Sequence, residues 1–82
     1  MDAEEKEIME AIVELLGPLN ADNIDLTPET DISGDLNIDS VAVMDFVMEV
    51  EDRFDIDIPL NILSDTRTIS DLVGVVKSRK GA

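Results

Sequence analysis

The chain has 82 residues, 44% of them hydrophobic, which is typical of one small folded domain spanning residues 1–82. It carries 20 acidic and 6 basic residues, giving a formal net charge of −14. This charge excludes nucleic acid and an anionic membrane surface as partners, because both would repel the chain, and it favours partner proteins with basic surface patches.

Cysteine and histidine are both absent from the sequence. Disulfides, thiolate metal sites and an imidazole base are therefore excluded, and we expect no bound metal. The residues after Met1 lack the basic start and apolar run of a signal peptide, and no apolar segment approaches the ~20 residues that span a bilayer. We therefore expect a cytoplasmic protein that does not enter membranes.

Helical periodicity predicts a first helix from Ala3 to Leu16, in which apolar residues recur at helical spacing. Asp2 with Glu5 forms a capping-box pattern at its start, and Gly17-Pro18 ends it. A long connection follows over residues 19–39, with apolar residues spaced through it. We expect an irregular loop that is pinned to the core and is functional.

A second helix is predicted from Ser40 to about Phe54, with Asp39 as its N-cap. Pro59 opens a short third helix through Leu63. The last helix begins at Thr68, where Thr68 and Asp71 form a second capping-box pattern. Since no segment alternates as a strand does, the predicted fold is all-α: a four-helix bundle with a long first loop and a short third helix. One face of the second helix forms its core stripe, namely Val43, Phe46, Val47, Val50 and Phe54.

The opposite face of the second helix combines apolar and acidic side chains. Its members are Val41, Met44, Asp45, Met48 and Asp52. Apolar side chains there provide contact area, while the carboxylates select a basic partner, so this face is predicted to be a docking surface. The alternative is that the helix buries more than one side in a small bundle.

Ser40 stands at the start of this helix, after Asp39. It could be an ordinary helix-capping or first-turn serine. A nucleophilic serine would require an adjacent base, and no histidine or nearby lysine supplies one, which argues against an enzyme. A third interpretation is a modification site, because a phosphate on this hydroxyl would lie at the positive end of the helix dipole.

The segment Asp35-Leu36-Asn37-Ile38-Asp39-Ser40-Val41, the helix ending at Phe54 and the Asp57-Ile58-Pro59 link resemble the acyl carrier protein family. The resemblance covers nearly the whole chain, although Asn37 stands where the family usually has glycine. It implies that Ser40, within a motif that includes Asp39, receives 4′-phosphopantetheine from coenzyme A through a phosphopantetheinyl transferase. The arm's thiol would then hold acyl groups as thioesters.

The same resemblance implies a monomeric carrier rather than an enzyme, acting in fatty acid or specialised lipid biosynthesis. Its partners would be acyl-transfer, synthase and other acyl-processing enzymes with basic docking patches. We expect the acyl chain to slip between the helices, because water disfavours its exposed apolar surface. The cavity should be lined by some of Leu36, Val43, Phe46, Val47, Ile58, Ile62, Leu63, Ile69 and Leu72.

Two alternatives stay open: a carrier domain of a polyketide or non-ribosomal peptide pathway, and a plain acidic protein-interaction module. A calcium-binding EF-hand loop starting at Asp31 is excluded by its spacing. Leu36 stands where that loop requires glycine, and Ala42 stands where it requires glutamate.

Overall fold

The computed structural model describes residues 1–80 and confirms the all-α fold. Its helices are α1 (Ala3–Leu16), α2 (Ile32–Leu36), α3 (Ser40–Phe54), α4 (Leu60–Leu63) and α5 (Ile69–Lys80), with a 3₁₀ turn at Gly17–Leu19. The second, third and fourth predicted helices are therefore α3, α4 and α5. No helix among residues 1–80 has the length and apolar character required to cross a membrane.

Both predicted capping boxes are present. At α1, Asp2 Oδ1 accepts a hydrogen bond from Glu5 N at 2.8 Å, and Glu5 Oε1 accepts from Asp2 N at 3.0 Å. At α5, Thr68 Oγ1 accepts from Asp71 N at 3.0 Å, and Asp71 Oδ2 accepts from Thr68 N at 3.2 Å. These bonds satisfy backbone donors that a helix start leaves without partners, so each helix begins at a defined residue.

The first connection is more ordered than predicted, because it contains the short helix α2. Asp31 caps α2 by accepting a hydrogen bond from Gly34 N at 2.8 Å. Asn37 ends it with a left-handed φ of 53°, a conformation that asparagine tolerates better than most residues. The expectation of an irregular stretch over residues 19–39 was therefore wrong for this part of it.

The core lies where α1, α3 and α5 pack together, and α2 closes one side of it. Residues with less than one-tenth of their surface exposed include Ile8, Ile12, Leu16, Ile32, Leu36, Phe46, Val47, Val50, Ile58, Ile69, Leu72, Val73 and Val76. Ile24, Leu26 and Ile38 of the first connection pack against this cluster half-buried. The prediction that the connection is pinned to the core is confirmed.

Main-chain hydrogen bonds tie the first connection to the start of α5. Ile32 N donates to Arg67 O at 2.9 Å, Ile69 N donates to Thr30 O at 3.1 Å, and Ser70 N donates to Pro28 O at 2.8 Å. These bonds hold α2 beside the N-terminal end of α5. They fix one wall of the cavity described below.

Candidate functional site

Ser40 is exposed as the first residue of α3, and the residue before it provides the helix cap. Asp39 has extended backbone angles (φ −83°, ψ 174°), and its Oδ1 accepts from Ala42 N at 2.9 Å. Among residues 1–80, the Ser40 hydroxyl makes no hydrogen bond to another protein group. Capping therefore belongs to Asp39, and the Ser40 hydroxyl faces solvent without a structural task.

The outward face of α3 is exposed along its length. The exposed fractions are 68% for Val41, 45% for Met44 and 60% for Met48, and Asp45 and Asp52 are also exposed. Neither carboxylate pairs with a basic side chain among residues 1–80. We name these five residues the α3 outer face. It begins beside Ser40 and combines unburied apolar area with unpaired negative charge.

Leu60, at the start of α4, is another large apolar side chain that lies in solvent, with 69% of its surface exposed. The sequence analysis missed it, because a four-residue helix is too short to show which of its sides is buried. Nearby, Glu51 Oε2 accepts from Ile58 N at 2.7 Å, which fixes the link between α3 and α4. Glu51 is therefore a structural carboxylate rather than a free one.

A cavity of about 220 Å³ lies between α3, the start of α2 and the segment that joins α4 to α5. Five of the nine residues predicted to line an acyl cavity lie on it: Val43, Phe46, Val47, Leu63 and Leu72. Leu36, Ile58 and Ile69 are buried in the core but do not line this cavity. Ile62 is half-buried on a separate groove against α5.

Polar residues line the rest of the cavity, and the sequence analysis missed them because it selected apolar residues alone. They are Asp31, Ser33, Ser64, Thr66 and Arg67, alongside Ile32. Arg67 Nη2 donates to Asp31 Oδ2 at 3.1 Å. The Gly34 N–H, and then the Arg67 guanidinium, hold the pKa of the Asp31 carboxyl below its usual value, so Asp31 is ionised at neutral pH.

Comparison with known proteins identifies the family. The family model described as a phosphopantetheine attachment site matches residues 6–76. The chain belongs to the acyl carrier protein family. It is 31% identical to an acyl carrier protein of Lactobacillus acidophilus over 78 residues, covering 94% of this chain and 98% of the relative.

Other relatives of similar length are acyl carrier proteins as well. An acyl carrier protein of Thermobifida fusca is 28% identical over 74 residues, 89% of this chain and 94% of the relative. A meromycolate extension acyl carrier protein of Mycolicibacterium aurum is 28% identical over 78 residues, 94% of this chain and 80% of the relative. The resemblance stated from the sequence is therefore confirmed.

As a member of the acyl carrier protein family, the chain carries covalent 4′-phosphopantetheine, whose thiol holds acyl groups as thioesters. The start of α3 suits such a group. The exposed Ser40 hydroxyl is accessible to an enzyme. A phosphate attached to it would lie near the first-turn N–H groups of α3, at the positive end of this 15-residue helix.

Proposed function

We propose that Ser40 is the residue that carries 4′-phosphopantetheine in this acyl carrier protein. The observation that carries the proposal is the exposed Ser40 hydroxyl, which is free because Asp39 caps α3 in its place. Asp39 holds the first turn of α3 and so fixes the direction in which the attached arm leaves the protein. A phosphopantetheinyl transferase would supply the arm from coenzyme A.

We propose further that the α3 outer face docks the transferase and the acyl-transfer, synthase and other acyl-processing enzymes. Its exposed methionines and Val41 offer adaptable contact area, and Asp45 and Asp52 complement basic patches on those enzymes. Because the face begins next to Ser40, an enzyme bound there would have the arm at the edge of its interface. One surface would then serve many partners in turn.

The chain itself is proposed to catalyse no reaction, since the ionisable side chains nearest Ser40 in sequence are carboxylates. The nearest basic residue before Ser40 in the sequence is Lys6, and the nearest after it is Arg53. The reactive thiol would come from the arm and the chemistry from partner enzymes. We propose that this exchange serves fatty acid or specialised lipid biosynthesis in the cytoplasm.

The cavity beside α3 is proposed to shelter the acyl chain. Phe46, Val47 and Leu72 give it a buried apolar interior, and Val43 lies one helical turn after Ser40. Each buried CH₂ contributes up to about 0.8 kcal/mol, and the ordering of the chain offsets part of this. The guest would therefore be held loosely enough for an enzyme to extract it.

The experiment that tests the attachment site is intact-mass analysis after incubation with coenzyme A, magnesium and a phosphopantetheinyl transferase. Wild-type protein should gain one phosphopantetheine, and Ser40→Ala should gain none while keeping its helical circular dichroism. Ser70→Ala is the matched control, because Ser70 is also an exposed serine in the first turn of a capped helix. A phosphopantetheine on Ser40→Ala would overturn the assignment.

A further inference from the structure

The cavity has two chemically different sides. Phe46, Val47 and Leu72 form a buried apolar interior. Ser33, Ser64 and Arg67, by contrast, line the cavity and are themselves exposed. The cavity therefore opens to solvent past polar side chains, which have no evident use for a plain hydrocarbon guest.

Arg67 is held in place from three directions at this opening. Its carbonyl accepts from Ile32 N at 2.9 Å, its backbone N donates to Asp71 Oδ2 at 3.1 Å, and its Nη2 donates to Asp31 Oδ2 at 3.1 Å. A guanidinium has five N–H donors and no acceptor, so most of its donors stay free of this ion pair. The Arg67 side chain is 79% exposed, so its remaining guanidinium donors lie at the solvent-facing side of the cavity that it lines.

The two neighbouring hydroxyls have the opposite character. Ser64 Oγ donates to Asn61 O at 2.9 Å, and Thr66 Oγ1 donates to Ile62 O at 2.8 Å. Because each hydroxyl proton is already donated to a backbone carbonyl, the Ser64 and Thr66 oxygens can act toward a guest only as hydrogen-bond acceptors. A donor at Arg67 beside acceptors at Ser64 and Thr66 is the complement of a hydroxyl group, which both accepts and donates.

We propose that Arg67 is a specificity-determining residue that favours acyl guests bearing a hydroxyl close to the thioester, such as 3-hydroxyacyl groups. The inference rests on the proposed attachment at Ser40 and on the cavity as the site of the guest. At roughly 30 Å³ per methylene, about the volume of a water molecule, 220 Å³ accommodates about seven carbons. A tail of that length fills the cavity from its apolar interior to its polar opening, so that the oxygen on C3, near the thioester end, lies at the opening.

The test compares three guests of equal chain length, each loaded by the transferase from its coenzyme A thioester: octanoyl, 3-hydroxyoctanoyl and 7-hydroxyoctanoyl. The last is an isomer of the second, with its hydroxyl at the apolar end. The melting temperature of each form is measured relative to the holo protein. The 3-hydroxyoctanoyl form should melt about 4 °C above the octanoyl form, and the 7-hydroxyoctanoyl form below it.

Arg67→Met keeps the length of the side chain and removes its donors, so it should abolish the advantage of the 3-hydroxyl group. Arg53→Met is the matched control, because Arg53 is an exposed, ion-paired arginine that does not line the cavity. In that variant the advantage should remain. Referring each variant to its own holo form cancels any change in the stability of the fold itself.

Two results would overturn this inference and leave the proposed function standing. One is equal melting temperatures for the octanoyl and 3-hydroxyoctanoyl forms, both above the holo protein. The other is an advantage that persists in Arg67→Met. If no guest attaches at Ser40, mass analysis shows it, and the proposed function falls together with this inference.

Discussion

Within residues 1–80, four of the five α-helices start with an aspartate N-cap or with a capping box that an aspartate completes. Asp2, Asp31 and Asp39 are N-caps, and Asp71 completes the capping box of α5. Each accepts a backbone N–H with its carboxylate. Part of the acidic composition is thus structural, and the free carboxylates are a smaller set that includes Asp45 and Asp52.

Asp71 allows the structural role of these carboxylates to be tested by pH. The backbone N–H groups of Arg67 and Thr68 hold the pKa of Asp71 below its usual value. A folded-state pKa below the unfolded value of about 3.9 means that ionised Asp71 stabilises the fold above that pH. This stabilisation is lost as the pH falls through the folded pKa.

Asp71→Asn should therefore lower the melting temperature at pH 7 by about 3 °C, the effect expected for a carboxylate in the first turn of a helix. Thermal melts between pH 7 and pH 3 should show the gap between wild type and variant shrinking below about pH 4. Asp65→Asn is the control, because Asp65 is exposed and its side chain caps no helix. A gap that stayed constant across this range would mean that the charge of Asp71 is irrelevant.

Among the helices, length decided what could be predicted. α1, α3 and α5 contain 14, 15 and 12 residues, which is long enough for apolar periodicity and capping residues to be recognised in the sequence. The bounds predicted for α1 and α3 and the start predicted for α5 hold to within one residue. α2 has 5 residues, including Gly34, and shows no period. Asp31 is a favoured N-cap residue, but one cap without a periodic stretch after it does not distinguish a short helix from a loop.

The candidate site likewise has one part that could be predicted from the sequence and one part that could not. Ser40, Asp39 and the α3 outer face follow from the sequence of one long helix, so their exposure and order could be anticipated. The cavity depends on how the segments before α2 and α5 come together, which is a tertiary arrangement. Sequence reasoning found the five apolar lining residues by their hydrophobicity, three of them on α3, but missed Arg67, whose position depends on a backbone bond to Ile32.

The α3 outer face is predicted to control encounter with partner enzymes. The double variant Asp45→Lys/Asp52→Lys should associate with the transferase at least tenfold more slowly at low salt, because electrostatic steering is lost. Its association rate should also depend less on salt than that of wild type. Stopped-flow or surface-binding kinetics measured at several ionic strengths would show both effects.

Glu7→Lys/Glu10→Lys is the matched control for that experiment. It makes the same change in net charge on two exposed residues of α1 rather than α3. Its association should stay closer to wild type. Equal slowing in the two double variants would show that only net charge matters and that the α3 outer face has no special role.

At the scale of the whole molecule, most of the basic side chains contact other segments of the same chain. Contacts to other segments are made by Arg53 to Glu14, Arg67 to Asp31, Lys77 to Asp2 and Glu5, Arg79 to the Asp57 carbonyl, and Lys80 to the Phe54 ring. Each contact is exposed and therefore contributes little by itself. Their common result is that few cations remain to neutralise the acidic surface.

We expect added salt to stabilise the protein, because repulsion within a net charge of −14 outweighs the four exposed ion contacts found among residues 1–80. Raising the ionic strength from about 20 mM to about 300 mM should increase the melting temperature by several degrees. Sodium chloride and choline chloride should act alike if screening is the cause. A melting temperature that fell with salt would show that the ion pairs dominate.

Because α4 is short, we expect the cavity wall that it forms to open more easily than the rest of the fold. None of its four residues is fully buried, whereas α1, α3 and α5 each place several side chains in the core. Segments with few buried apolar contacts open locally at low free energy, so the amides of residues 60–66 should exchange with deuterium far sooner than those of the three long helices. We therefore expect the wall that carries Leu63 to open while the three long helices stay folded. Loading and release of the guest proposed for this cavity would then require only a local opening of the fold.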